Sequence, residues 1–99
     1  MTTAHPKTRI QYLRDARNVY TANGADGLRY ATPGSVGLDL RACIDAEEAE
    51  IPAGGRLPIP TGIAVEPLTP GIAGFVYSRS GLGAVQGLTV AQGVGVIDP

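Results

Sequence analysis

Apolar residues in this chain recur at every second position in short runs, and glycine or proline cuts each run off. From Gly37 to Cys43, Leu38, Leu40 and Ala42 share one side while Asp39, Arg41 and Cys43 share the other. A period of two predicts a half-buried strand. Thr61–Glu66 alternates in the same way, with Ile63 and Val65 inward. Ile72–Tyr77 is apolar on both sides and predicts a central strand. Leu88–Val90 and Val94–Ile97 are short and rich in β-branched residues. Turn signals lie between them at Pro33-Gly34, Pro52 to Gly55, Pro67 to Gly71 and Gly81 to Gly83. Short strands about 8–12 residues apart with such turns predict an all-β antiparallel barrel or sandwich. A helix over Asp45–Glu50 is the alternative there, but Pro52 would stop it after little more than a turn. Residues 1–28 have the least pattern. Within them Arg9–Leu13 fits an edge strand and Asn23-Gly24 a turn.

The length bounds what these strands can build. Ninety-nine residues make one small domain or a piece of one. We expect a single domain over residues 1–99, with 1–27 an N-terminal arm and edge strand. The core is thin at this size. No apolar run is long enough to span a membrane, and the first residues lack a signal peptide's apolar stretch. Cys43 is the sole cysteine, which predicts a reduced thiol and a cytoplasmic setting. One Cys and one His cannot supply the four ligands of a structural zinc site.

Charge narrows the partners. The net charge is −1, but Lys7, Arg9, Arg14, Arg17 and Arg29 outweigh Asp15 and Asp26 in residues 1–30. Carboxylates dominate the remainder, including Asp45, Glu47, Glu48 and Glu50, which read as a solvated edge. A weakly acidic chain with few aromatics is a poor duplex nucleic-acid binder. A small anion needs only one guanidinium and a few N–H groups, and stays possible.

Three stretches hold such chemistry. Ser78-Arg79-Ser80-Gly81-Leu82-Gly83 combines a guanidinium, two hydroxyls and glycines that permit close backbone approach. The same residues also make an ordinary polar turn. In Gln92-Gly93-Val94-Gly95-Val96-Ile97-Asp98, two glycines interrupt an apolar strand, marking a bend or a close approach by a ligand. Asp98 then ends that strand as a general base or as a turn cap. In Pro33 to Leu40, Asp39 sits between leucines, where it orients an Arg, holds water around a metal, or forms a structural salt bridge.

Together the three stretches resemble the motifs of the dUTP diphosphatases (dUTPases). The first motif resembles Gly34 to Ala42, the second Ser78 to Gly83, and the start of the third Gly95-Val96-Ile97-Asp98. Order and spacing agree, as does Pro60-Thr61-Gly62-Ile63-Ala64 between them. The resemblance implies a jelly-roll β-barrel in a homotrimer with active sites shared between subunits. It implies hydrolysis of dUTP to dUMP and pyrophosphate with Mg²⁺. Arg79, Ser80 and Gly81 would hold phosphates. Val96 and Ile97 would line the deoxyuridine pocket, with Gly95 permitting the approach. Asp98 would activate water and meet the sugar 3′-hydroxyl. Asp39 would support the phosphates and metal, reaching the metal through water if at all, with no direct metal ligand in the chain.

The resemblance also has departures. Gln92 stands where many members have Asn or a small residue lining the base pocket; it keeps the amide and adds a methylene. The family continues past its Asp with a Tyr that packs on deoxyribose, further strands, another motif and a Gly-rich arm. These residues stop at Asp98-Pro99. We therefore expect a fold incomplete at its C-terminus and weak or absent turnover from these residues alone. The alternative is a non-catalytic module that binds nucleotide or a partner. A dCTP deaminase fits less well, since its catalytic Glu would lie beyond the Asp.

Overall fold

The computed structural model describes residues His5–Pro99. Strand outweighs helix. The elements are β1 (Thr8–Tyr12), α1 (Ala16–Tyr20), β2 (Ile63–Pro67), β3 (Gly74–Tyr77) and β4 (Val94–Ile97). One 3₁₀ turn covers Ala22–Gly24 and one π-helical turn covers Gly81–Val85. The strands form two two-stranded sheets, β1 with β2 and β3 with β4. The residues fall into two compact units. One holds the described residues up to Ile10 together with Val65–Pro99, and the other holds Gln11–Ala64.

In the first unit, β3 and β4 run antiparallel with Gly74 opposite Ile97, Phe75 opposite Val96, Val76 opposite Gly95 and Tyr77 opposite Val94. Successive residues of a strand point to opposite faces. One face therefore carries Gly74, Val76, Gly95 and Ile97, all half-buried. Each glycine lies opposite a large side chain, and a Cβ at Gly95 would stand 3.3 Å from the Val76 Cβ. The other face carries Phe75 and Tyr77, 58% and 67% exposed. The expected central strand over Ile72–Tyr77 is thus corrected. β3 has β4 as its ladder partner and leaves its aromatic face open, because glycine partners thin only the opposite face.

The second unit is built around Ala16 and Tyr20, 0% and 3% exposed. Five residues are too few for a helix to persist alone, and Asp15 makes no side-chain cap. Burial at positions four apart holds α1 instead. The Tyr12 ring meets Tyr20 edge-on at a centroid distance of 5.8 Å, and the Arg17 guanidinium lies 4.5 Å over Tyr12.

Two expected strands join no ladder among the described residues. Gly37–Cys43 is held by other bonds: the Cys43 N–H donates to the Pro60 carbonyl at 2.7 Å and the Arg41 N–H to the Tyr20 hydroxyl at 3.1 Å. Leu88–Val90 is held by a serine, with the Val90 N–H donating to Ser78 Oγ at 2.8 Å. Asp45–Glu50 forms no helix.

Gly62 lets the second unit close. It is buried with φ +74°, and a Cβ there would overlap the Ala16 Cβ and lie 3.0 Å from both Cβ and Sγ of Cys43. Gly62→Ala combines left-handed strain with overpacking, and we expect it to destabilise the chain by about 3 kcal/mol. Denaturant unfolding followed by circular dichroism measures this. A change under about 0.5 kcal/mol would mean that the contact relaxes freely.

Candidate functional site

The second motif begins where β3 ends. Ser78 anchors the loop through the Val90 N–H. The Gly83 N–H donates to the Arg79 carbonyl at 2.8 Å, and the Gln86 and Leu88 N–H groups both donate to the Leu82 carbonyl, at 3.2 and 2.9 Å. These bonds fold 79–88 into the π turn, a feature common at functional sites. Ser80 is its N-cap residue and makes no side-chain cap bond. The first N–H groups of a helical turn lie outside its ladder, so Ser80 and Gly81 keep backbone donors available beside the exposed Arg79 side chain. Gly83 has its own structural reason, since a Cβ would sit 3.3 Å from Thr89 Cγ2. The guanidinium, hydroxyl and N–H donors of Arg79, Ser80 and Gly81 are thus gathered on one turn, chemistry suited to phosphate oxygens.

The third stretch runs along β4. Val96 and Ile97 take opposite faces, Val96 exposed and Ile97 half-buried. Their two side chains cannot present one common surface, so contact with a flat base by both runs through the main chain. Among the described residues the β3–β4 pair has no third strand, and an open edge offers alternating donors and acceptors. A Cβ at Gly95 would crowd Val76 whether or not a ligand approaches. The Gln92 amide donates to the Val94 carbonyl at 3.2 Å and thereby braces the start of β4.

The ladder also sets where the charged groups leave it. Arg79 follows the end of β3 and Gln92 precedes β4, both at the Tyr77–Val94 end, whereas Asp98 follows β4 at the Gly74–Ile97 end. At about 3.3 Å per residue the paired segment is about 10 Å long. Within one chain, Arg79 and Asp98 therefore depart from opposite ends of the same hairpin.

In the second unit, Asp39 is exposed and lines a cavity of about 210 Å³ with Tyr20, Arg29 and Arg41 among its walls. No cluster of three His, Cys, Asp or Glu side chains suited to a metal occurs among the described residues. Mg²⁺ does not demand one, because it keeps several waters and uses one or two carboxylates plus substrate phosphates. Asp39, an exposed carboxylate residue on the cavity wall, is of the ligand type that this mode uses. Tyr20 and Arg29 were not legible as site neighbours. The usable signal was the four-residue spacing of Tyr12, Ala16 and Tyr20, which places the phenol on a helical stripe.

Comparison with known proteins follows the same residues. The dUTPase family model matches residues 24–99. A deoxyuridine 5′-triphosphate nucleotidohydrolase of Nitrosomonas eutropha is 56% identical over 69 residues, 70% of this chain and 46% of that protein. One from Desulfitobacterium hafniense is 50% identical over 70 residues, 71% of this chain and 46% of its own length. One from Thiobacillus denitrificans is 51% identical over 69 residues, 70% and 47% of the two chains. The chain spans about half the length of these curated relatives. No described helix is long and apolar enough to cross a membrane. With more than half its length matched, the chain belongs to the dUTPase family and to that family's all-β jelly-roll class.

Proposed function

We propose that this chain carries the phosphate-holding and water-activating parts of a dUTP diphosphatase, with residues 1–99 acting as one dUTPase-like domain in a homotrimer. The observation that carries the reading is the Ser78–Gly83 turn, which collects Arg79 and backbone donors beside a hairpin ending in a carboxylate. Membership of the dUTPase family implies sites shared between subunits, and the departure of Arg79 and Asp98 from opposite ends of that hairpin accords with one nucleotide taking Arg79 from one protomer and Asp98 from another.

Chemistry follows from the groups. Arg79, Ser80 and Gly81 hold the phosphate chain. Asp98 accepts a proton from water as its oxygen bonds the α-phosphorus in line, the bond from that phosphorus to the bridging oxygen breaks, and pyrophosphate leaves. Asp39 would hold Mg²⁺ through water, and the ion when bound supplies charge neutralisation at the phosphates. Uracil presents acceptor, donor and acceptor along its pairing edge, which the β4 main chain can match at Gly95 to Ile97. Cytosine would set its amino donor against a backbone N–H, at about 1–3 kcal/mol for each group left unpaired. The lone free thiol of Cys43 suits a reducing cytoplasm.

A second reading is a module that binds nucleotide or a partner without turnover. Calorimetry with a non-hydrolysable dUTP analogue and Mg²⁺, beside pyrophosphate release from dUTP, separates the two. We expect analogue binding with slow release from these residues alone. Binding with no release at all supports the module, and absence of both overturns the nucleotide site.

A further inference from the structure

The segment bearing Asp39 joins no ladder among the described residues, yet its backbone is held from a side chain. The Tyr20 hydroxyl accepts the Arg41 N–H at 3.1 Å and donates to the Thr61 carbonyl at 2.8 Å, with the Arg41 carbonyl 3.3 Å away. One phenol thus ties α1 to two chain segments that carry no direct ladder here. The ring is enclosed: it is 3% exposed, its helix also buries Ala16 fully, and Tyr12 meets it edge-on. Two residues further on, the Cys43 N–H to Pro60 bond makes a second tie. Asp39 lies two residues before Arg41, and both line the cavity that Tyr20 also walls.

We propose that Tyr20 is a positioning residue for Asp39, replacing a strand partner as the group that fixes the Asp39–Arg41 backbone against Thr61. Tyr20 precedes the family match, which begins at residue 24. This role rests on the reading that Asp39 supports the metal and phosphates. Loss of the hydroxyl leaves the Arg41 N–H without this partner and frees the wall that presents the carboxylate. The ring and its packing would remain.

Tyr20→Phe removes only that oxygen. Tyr12→Phe is the matched control, because its hydroxyl accepts the Leu28 N–H at 2.8 Å in the same unit. Two readouts on the whole chain decide the matter: amide hydrogen exchange, and calorimetry of a non-hydrolysable dUTP analogue with Mg²⁺. In Tyr20→Phe we expect exchange at Arg41 to rise about tenfold or more and analogue affinity to fall about five- to tenfold. In Tyr12→Phe we expect Arg41 exchange unchanged and affinity within about twofold of the parent. Unchanged Arg41 exchange in Tyr20→Phe overturns the proposal, as does faster exchange spread evenly over β3, β4 and the second unit. Equal affinity in the two variants also overturns it, while leaving the nucleotide site standing. A parent chain that binds no analogue overturns that site and the positioning role with it.

Discussion

Arg79→Ala is expected to weaken binding of a non-hydrolysable dUTP analogue about a hundredfold, while leaving the far-ultraviolet circular dichroism of the chain unchanged. Arg79 is an exposed residue on the turn that follows β3, and main-chain bonds and Ser78 tie that turn. Removing the side chain should subtract the proposed phosphate contacts while the main-chain ties of the turn remain. Charge-assisted bonds contribute about 1.5–3 kcal/mol each, and a bidentate fork adds geometry that an ammonium lacks. Arg79→Lys should accordingly fall between, about tenfold weaker than the parent. Equilibrium calorimetry across a salt series measures both, and the parent's salt dependence should be the steepest of the three. A loss under about threefold in Arg79→Ala would assign the anion contact elsewhere.

Asp98→Asn should separate binding from chemistry. The amide is nearly isosteric and can still meet a sugar hydroxyl, but it cannot take a proton from water. We expect pyrophosphate release per site to fall about a thousandfold in the assembled enzyme, within the range for a general base. Analogue affinity should change only a few-fold. Single-turnover measurement isolates the step from product release. If turnover and affinity fell together by the same factor, Asp98 would be a binding group and the water would be activated by another residue.

Particular residues show which parts of this were legible in the sequence. Ile63 and Val65 alternate with Ala64 and Glu66, and β2 buries them in that order. Val94–Ile97 likewise became β4 as bounded. The run Ile72–Tyr77 misled because apolar residues on both sides read as double burial. Gly74 opposite Ile97 and Val76 opposite Gly95 supply one covered face, while Phe75 and Tyr77 remain open on the other. Gly37–Cys43 has strand periodicity, yet its partner is the hydroxyl of a residue 21 positions earlier, a non-local bond that no local pattern encodes. α1 was hidden for a related reason: five residues have no propensity signal, and burial of Ala16, against Gly62, and of Tyr20 forms it.

The site divides similarly. Side-chain chemistry made Arg79, Ser80 and Asp98 candidates, because few residue types bind phosphate or activate water, and the dUTPase motifs gave them their proposed roles. Serine and glycine have no periodicity, so the π turn was not legible. The separation of Arg79 from Asp98 also required the β3–β4 register, which depends on how glycine and valine pair across the strands.

Subunit mixing reads out directly whether neighbouring protomers share one site. Arg79→Ala and Asp98→Asn chains would be denatured together in equal amounts, refolded, and assayed for pyrophosphate release against the parent treated alike. If neighbouring protomers in a trimer each donate one group, about one site in four in the mixture regains both, and activity returns to about a quarter of the parent's. Mixed assemblies no more active than the average of the two separate variants would contradict a site shared between chains.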